Sequence, residues 1–491
     1  MRIAVIGAGP CGLAAAKYLR AEKAFANIVI FEQRDDVGGV WYYTPNNTID
    51  DNFSIPHTKP NTSPEKPVCT RRTTIGHHSG SHKDEGILEF LSPAYDLLET
   101  NIPHTLMNYS DHKFPPHTPL FPEHAVVKEY LQGYAEDIRS FISFQTQVVN
   151  VSPLQMASGD KGWKVTVRDI RTNNDSTHHF DAVVVANGHY SDPYLPDIPG
   201  IEHWNKVYPG AITHSKFYRR PEEYRDKKVV IVGNSASGID LSVQIANVSR
   251  KPLLISTKDW GETLSSSPQS ELVPEIVEFI PSERAEIRLA DGRIERDIDH
   301  VVFCTGYIYS FPFLSQAVNP PVVTDGKRPC NLFQHIFYSP RPTLAFVGLP
   351  QRIVPFPVSE AQAALIARVF SGRLELPPLK EMMEWEINWI AHHGLGKSFN
   401  SLAFPLDAEY INFLHDYSLQ ARRRDDLAND GKGKIPPYWG EKEKWVRKMF
   451  PVIKAASRAL GSRRQEITSL EALGFDFEKW KDEDAALKAS L

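Results

Sequence analysis

Apolar residues follow the same plan in two separate stretches of the chain. Each stretch starts with a short apolar run that ends in glycine, continues with a helix-like segment and closes with a second apolar run. The two stretches comprise residues 2–7, 13–23 and 28–31, and residues 228–233, 239–246 and 253–256. A strand, a helix and a second strand are therefore predicted twice, which indicates an α/β fold with two similar parallel units.

Further elements are predicted outside these two units. Residues 287–294 predict a hairpin, because they bracket Asp291-Gly292, a pair that favours a tight turn. The proline-rich residues 193–199 indicate a connector. Apolar patterning predicts an amphipathic helix over residues 126–138 and strands over residues 163–167, 182–186 and 301–304.

A long polar segment, residues 44–85, has no regular period and is rich in Pro, Asn, Thr, Ser and His. We interpret it as a surface excursion. Its histidines could bind a metal ion, but no carboxylate or thiol is placed to complete a site, so a solvated loop is favoured. These histidines are His57, His77, His78 and His82.

The first glycine turn reads Gly7-x-Gly9-x-x-Gly12, and Glu32 stands twenty positions after its last glycine. It follows a predicted strand and opens a predicted helix, as the dinucleotide-binding fingerprint requires. The helix N-terminus is expected to present N–H groups to a pyrophosphate, and Glu32 to accept hydrogen bonds from a ribose with a free 2′-hydroxyl, as in FAD or NAD. The predicted cofactor contacts are Gly7, Ala8, Gly9, Cys11, Gly12 and Glu32.

The second glycine turn, residues 233–238, departs from the fingerprint because Ser235 replaces the middle glycine. Lys258 stands twenty positions after this turn, where the first unit has Glu32. A cation at that place favours a 2′-phosphate, and therefore NADPH over NADH, although an ordinary exposed lysine is the alternative. The predicted contacts are Gly233, Ser235, Ser237, Gly238 and Lys258.

Charge and cysteine content exclude several classes of protein. The formal net charge is -5 and no basic stripe is present, so nucleic acid is not an expected partner. Cys11, Cys69, Cys304 and Cys330 are far apart and form no CxxC pair. This spacing argues against a zinc site, and no metal ligand is predicted.

The N-terminus predicts no signal peptide, because Met1-Arg2 leads directly into an apolar run. No apolar stretch approaches the length of a membrane-spanning helix. Scattered thiols suit a reducing compartment. A cytoplasmic protein is therefore expected, with peripheral membrane association left open.

One segment resembles a known family. The sequence Tyr208-x-Gly210-x-x-x-His214-x-x-x-Tyr218 is similar to the FxGxxxHxxx(Y/F) sequence of flavin-containing monooxygenases, with Tyr208 in place of Phe. It lies just before the second glycine turn, as in that family.

Other segments between about residue 3 and about residue 378 resemble the same family. Residues 186–190 and 304–307 are similar to its two ATG-like strand ends. The sequence Gly38-Gly39-Val40-Trp41 is similar to its GGxW sequence. In the family GGxW touches the flavin side of FAD, so the resemblance implies cofactor contacts at Gly39, Val40 and Trp41.

Residues 95–103 resemble a family segment whose Thr-Asn pair lies at the flavin. The resemblance therefore implies that Thr100 and Asn101 contact the cofactor and that Asn101 is the catalytic residue. Ser359 and Gln362 form a capping-box pattern, which predicts a helix that starts at Ser359 and runs towards residue 371. In the family such a helix points its N-terminus at the flavin.

The resemblance implies an enzyme with FAD and NADPH as cofactors and O₂ and a small molecule as substrates. NADPH reduces FAD, and O₂ then gives a flavin 4a-hydroperoxide that oxygenates a nucleophilic sulfur or nitrogen atom, as in a thiol or an N,N-dialkylaniline. The cofactor supplies the oxygen chemistry, so few substrate-binding residues can be named. A homodimer is left open.

Three alternatives remain to be distinguished. Baeyer–Villiger oxygenation of a ketone uses the same fold, but those enzymes end the motif with Trp-Pro or Trp-Asp, where this chain has Tyr218-Arg219. A pyridine-nucleotide disulfide reductase needs a redox dithiol, which the sequence lacks. A non-catalytic dinucleotide-binding protein is the third alternative.

The sequence predicts two Rossmann-like dinucleotide-binding domains, with the NADPH domain inserted in the FAD domain. A chain of 491 residues is too long for one hydrophobic core. The predicted ranges are 1–190 and 300–380 for the FAD domain, 191–299 for the NADPH domain and 381–491 for a C-terminal helical extension.

Overall fold

The computed structural model describes residues 1–45, 53–70, 87–155, 161–258 and 269–489. The chain forms two compact units, each assembled from separate parts of the sequence. The first unit comprises Met1–Tyr42, Leu98–Gly188 and Phe313–Leu491, and the second comprises Tyr43–Leu97 and His189–Pro312. Both units contain a parallel sheet and helices, which confirms the predicted α/β class.

A seven-stranded sheet forms the centre of the first unit. In spatial order its strands are Leu332–Phe333, Phe337–Tyr338, Leu344–Phe346, Ala182–Val185, Arg2–Ile6, Asn27–Phe31 and Ile142–Ser143. The last five are parallel. Arg2–Ile6 lies between two parallel neighbours and is apolar on both faces, as expected for a strand covered on both sides.

A three-stranded antiparallel sheet and several helices complete the first unit. The sheet consists of Thr146–Gln155, Lys161–Asp169 and Asp175–Phe180. The helices are Pro10–Ala21, His104–Met107, His124–Ala135, Pro355–Phe370, Leu379–His393, Leu406–Leu419, Glu441–Ala459 and Phe477–Ala489. Among the described residues, no helix has the length and apolar character needed to cross a bilayer.

The helix Pro355–Phe370 is buried on nearly all sides and packs against Pro10–Ala21. The predicted capping box is wrong, because this helix begins four residues before Ser359. Its first residue is proline, which lacks the N–H that would otherwise need a partner there, and none of the described side chains caps its start. Ser359 and Gln362 lie inside it, where the Ser359 hydroxyl donates to the Phe356 carbonyl at 2.7 Å.

The second unit contains a five-stranded parallel sheet. In spatial order its strands are Ile212–His214, His300–Phe303, Val229–Val232, Leu253–Ser256 and Ser270–Val273. The smaller pairings are Ile276–Ile280 with Glu286–Leu289 and Ile294–Glu295, Val68–Thr70 with Ile87–Glu89, and Asp192–Pro193 with Tyr307–Ile308. The helices are Ile201–Val207 and Ala236–Ala246. The predicted turn at Asp291-Gly292 joins two antiparallel strands, which confirms the hairpin.

The two compact units divide the chain differently from the predicted ranges. Residues 300–312 belong to the second unit, since His300–Phe303 pairs with Val229–Val232 and Ile212–His214 there. Residues 43–97 also belong to it, and this range includes the segment 44–85, for which the sequence predicted a surface excursion.

His57 ties part of this polar segment into the second unit. Its side chain is buried, and its Nε2 lies 2.7 Å from Oδ1 of the buried Asp192. The interpretation of His57 as a residue of a solvated loop is therefore wrong, because a carboxylate far along the sequence pairs with it. His77, His78 and His82 lie outside the described residues. Within the described part of the chain, no group of three or more metal-ligating side chains occurs.

Candidate active site and cofactor sites

The first glycine turn joins the strand Arg2–Ile6 to the helix Pro10–Ala21. Gly7 has φ of 100°, and a Cβ added to it would lie 2.7 Å from the Ala186 carbonyl oxygen. A Cβ at Gly12 would overlap the carbonyl oxygen of Gly7. Both positions therefore require glycine for the strand and helix to pack this closely.

Gly9 lies against a second glycine, Gly39, where the two backbones meet without side chains. Gly39 has φ of 56°, and a Cβ built on it would lie 2.9 Å from the Gly9 Cα. The Gly38 N–H donates to the Ala8 carbonyl at 3.2 Å, which fixes the GGxW segment beside the turn. Val40 and Trp41 follow as half-buried residues. Bare backbone here suits a pyrophosphate, which needs close approach of N–H groups.

Among the described residues no side chain caps the helix Pro10–Ala21, which suits a helix start that offers its first N–H groups to an anion. Cys11 has only its backbone to offer to such a site, because its Sγ faces Gly348, where an added Cβ would overlap the sulfur atom. Burial raises the pKa of the Cys11 thiol to about 12, so this thiol is a neutral packing group.

Glu32 lies buried at the end of the strand Asn27–Phe31. Its Oε2 accepts from the Ala8 N–H at 2.7 Å, and its Oε1 accepts from the Arg34 N–H at 2.9 Å. Burial raises the pKa of Glu32, while Arg34 and these N–H groups oppose the rise. Each carboxylate oxygen retains a further lone pair, so Glu32 can also accept from ribose hydroxyls. The donors and acceptors of this turn therefore fit the adenosine diphosphate part of FAD.

The loop that carries Thr100 and Asn101 belongs to the first unit. Thr100 is buried, its N–H donates to the Pro122 carbonyl at 2.9 Å, and its hydroxyl donates to the Ile102 carbonyl at 2.9 Å. Its hydroxyl thus holds the loop, and its predicted contact with the cofactor stays a prediction. Asn101 is exposed, which leaves its amide accessible to a ligand.

Sequence reasoning missed a side chain that holds this loop. Nζ of Lys454, on the helix Glu441–Ala459, donates to the Thr100 carbonyl at 2.8 Å from 354 positions away. Lys454 stands in a helix with many charged residues, so the local pattern gives no sign that it is buried.

The second glycine turn repeats the geometry of the first. Gly233 has φ of 103°, and a Cβ on it would lie 2.8 Å from the Cys304 carbonyl oxygen, while a Cβ on Gly238 would overlap the Gly233 carbonyl. Ser235 has φ of -103° and ψ of -164°, an extended conformation that any residue adopts. This explains why serine can stand at the middle position. Ser235 is exposed and does not cap the helix Ala236–Ala246.

Lys258 follows the strand Leu253–Ser256. Its side chain is 82% exposed, and its Nζ lies 3.4 Å from Oε1 of Glu275. The Ser256 hydroxyl is buried and donates to the Pro274 carbonyl at 3.0 Å, so it is not directed towards a ligand. Lys258 remains the predicted reader of the 2′-phosphate.

The motif from Tyr208 to Tyr218 belongs to the second unit, and its second half is largely buried there. The His214 Nδ1 accepts from the Lys216 N–H at 3.1 Å, and its Nε2 lies 3.0 Å from the Gly306 carbonyl, a pattern that fits a neutral imidazole. The Tyr208 hydroxyl accepts from the Ala285 N–H at 3.0 Å. These partners tie the motif to the strand region after His300–Phe303 and to the segment around Ala285 within the second unit.

Two glycine turns of this geometry, each between a parallel strand and a helix, define a protein that binds two dinucleotides. The sequence model of the flavin-binding monooxygenase-like family matches residues 65–271 and 269–428, and that of the NAD(P)-binding Rossmann-like domain matches residues 5–61. The chain belongs to the flavin-binding monooxygenase-like family, and its cofactors are FAD and NADPH.

Three relatives place the chain within this family. It is 31% identical to flavin-containing monooxygenase iboF of Amanita muscaria (strain Koide BX008), over 84% of this chain and 86% of the relative. It is 34% identical to the thiol-specific monooxygenase of Saccharomyces cerevisiae (strain ATCC 204508 / S288c), over 76% of this chain and 78% of the relative. The solved structure of S-allyl-L-cysteine S-oxygenase from Allium sativum matches with a TM-score of 0.74 at 28% identity, over 96% of both chains.

Proposed function

We propose that this protein oxygenates a nucleophilic sulfur or nitrogen atom of a small molecule, with NADPH and O₂, and that sulfur is its preferred atom. Family membership supports the reaction class. The observation that carries the preference is the similarity to S-allyl-L-cysteine S-oxygenase over 96% of both chains. A thiol-specific monooxygenase among the relatives points the same way.

The proposed roles of the two units follow from their glycine turns. The first unit holds FAD, with Gly9 and Gly39 leaving room for the pyrophosphate and Glu32 binding the ribose. The second unit holds NADPH, with the exposed Lys258 beside the 2′-phosphate. FAD, when bound, supplies the hydride acceptance and O₂ activation that amino acid side chains cannot provide.

Asn101 is the proposed catalytic residue. Its exposed amide both donates and accepts hydrogen bonds, so it can orient groups of the cofactor and stabilise charge that develops there. Thr100 supports it by fixing the backbone through its bond to the Ile102 carbonyl.

The test is product analysis with ¹⁸O₂. The FAD-loaded protein, NADPH and ¹⁸O₂ are incubated with a thiol, a thioether, an N,N-dialkylaniline and a cyclic ketone, and products are identified by mass spectrometry. The expected result is a sulfur product that carries one ¹⁸O atom, formed in a larger amount than the oxygenated amine. Ester formation from the ketone would replace the proposal with Baeyer–Villiger oxygenation, which Tyr218-Arg219 disfavours. NADPH oxidation that yields only hydrogen peroxide from every substrate would contradict the proposal.

A further inference from the structure

Several residues of the C-terminal part of the first unit converge on one carboxylate, Glu99, two positions before Asn101. Glu99 accepts from Arg464 Nε at 2.9 Å and from Gln465 Nε2 at 3.1 Å, and its Oε2 lies 3.2 Å from Lys454 Nζ. Burial raises the pKa of Glu99, but Arg464 and Lys454 outweigh it and hold that pKa below its ordinary value. Glu99 is therefore an ionised anchor that both basic residues share.

Lys454 connects this anchor to the backbone beside Asn101. Its side chain is only 8% exposed, and its Nζ donates to the Thr100 carbonyl at 2.8 Å while it also pairs with Glu99. The ammonium lies 4.3 Å from the centre of the Phe121 ring. A buried ammonium with a carboxylate, a carbonyl and a ring around it has a single favoured position, so it fixes the peptide that it binds.

Two further contacts extend the attachment along the loop. The Leu120 N–H donates to the Ile467 carbonyl at 2.7 Å, and His104 Nε2 lies 3.2 Å from the Thr468 carbonyl. Residues of the C-terminal part thus contact the chain near Thr100 and also at His104 and Leu120.

From these contacts we propose that Lys454 is a positioning residue for oxygen transfer: it sets the backbone of Thr100 and so the place of the Asn101 amide. The inference rests on the proposed role of Asn101. It predicts that loss of the Lys454 donors loosens the loop and lets reduced enzyme release hydrogen peroxide in place of oxygenated product. FAD binding at the first glycine turn should persist, since no residue of that turn is among the Lys454 partners named above.

A matched control stands on the same helix. Arg447 forms a buried ion pair with Asp407, also with a side chain 8% exposed, and donates to the Arg352 carbonyl at 2.9 Å. None of these partners belongs to the loop that carries Asn101. Arg447→Met therefore costs stability as Lys454→Met does, without acting on the loop.

The experiment compares Lys454→Met, Lys454→Arg and Arg447→Met as holoenzymes. In Lys454→Met, we expect hydrogen exchange of a peptide covering residues 98–106 to quicken by at least about fivefold, and product per NADPH to fall by at least about threefold. Lys454→Arg should restore both values to within about twofold of wild type, since it retains N–H donors. Arg447→Met should leave both unchanged at a lowered melting temperature.

Equal effects in Lys454→Met and Arg447→Met, or no effect in Lys454→Met, would overturn the positioning role. If Lys454→Met does not fold, Arg464→Met is measured in its place and is expected to act in the same direction, because the Arg464 side chain is 33% exposed and its loss removes one of the donors that hold Glu99 beside Thr100. Hydrogen exchange needs no substrate. It therefore decides whether Lys454 orders the loop even if wild type forms no oxygenated product, an outcome that would refute the proposed function instead.

Discussion

The Glu32 carboxylate accepts a hydrogen bond of 2.7 Å from the N–H of Ala8. This bond joins the end of the strand Asn27–Phe31 to the glycine turn that follows the neighbouring strand Arg2–Ile6. The same carboxylate is the group expected to bind the FAD ribose. This contact between the Glu32 side chain and the Ala8 backbone orders the site before the cofactor binds, which lowers the entropic cost of binding.

Gly9→Asp is expected to lower FAD retention by at least about tenfold, because a carboxylate would enter the pyrophosphate site. Gly9 has φ of -74°, and a Cβ on it would lie 3.3 Å from Gly39 Cα, so the variant can fold with a small adjustment. Flavin absorbance per mole of protein after gel filtration is the measurement. Gly133→Ala, whose added methyl would meet only the His112 ring, is the control. Equal flavin content in Gly9→Asp and wild type would contradict the assignment.

Lys258→Ala is expected to raise the KM for NADPH about 10- to 100-fold and to leave that for NADH unchanged, since a charged hydrogen bond contributes about 1.5–3 kcal/mol. Glu275→Gln removes the carboxylate that lies 3.4 Å from the Lys258 ammonium. It should leave the KM for NADPH equal or lower. Steady-state kinetics with both nucleotides decide the matter, and equal weakening of NADPH and NADH would exclude Lys258 as the reader.

The free energy of unfolding is expected to depend on pH through the buried carboxyl group of Glu360. It lies fully buried on the helix Pro355–Phe370 and accepts from the N–H and hydroxyl of Ser110, each at 2.8 Å. Burial raises its pKa to about 7. Between its ordinary pKa and about 7, Glu360 holds a proton in the folded state that it has released in the unfolded state. Its protonation therefore contributes to the free energy of unfolding fully below the ordinary carboxyl pKa, and this contribution is lost as pH rises through about 7.

The free energy of unfolding of wild type minus that of Glu360→Gln should therefore fall between pH 5 and pH 8, with a slope of at most about 1.4 kcal/mol per pH unit. The glutamine variant keeps the size of the side chain and cannot titrate. Thermal unfolding across this range at constant ionic strength measures the difference. A difference that stays constant with pH would show that Glu360 does not titrate in this window.

Local sequence predicted the fold well where neighbouring residues decide it. The strands around Gly7 and Gly233 and the hairpin at Asp291 follow from apolar runs and turn residues close together in the chain. The same reasoning failed at Ser359, since serine and glutamine three residues apart also occur inside a buried helix. The prediction of a solvated His57 failed for a different reason: its partner, Asp192, lies 135 positions away in the sequence.

The candidate site was predictable only in part. The glycine turns carry their own signature, since backbone conformation restricts those positions to glycine. Lys454 has no signature, because its effect on Thr100 arises from tertiary packing of the C-terminal helix. Asn101 is predicted from the family resemblance alone, and its exposure on a loop is compatible with an amide that faces a ligand.

The most direct test of the account is the ratio of oxygenated product to hydrogen peroxide in Asn101→Asp, measured beside wild type with a good thioether or thiol substrate. Aspartate removes the amide donor and adds a negative charge where O₂ reduction builds up negative charge. We expect unchanged FAD content and near-normal flavin reduction by NADPH, with product formation lowered by at least about tenfold, or about 1.4 kcal/mol, and hydrogen peroxide release raised. An unchanged ratio with intact FAD would show that Asn101 is an ordinary loop residue and that the proposed reaction centre is wrong.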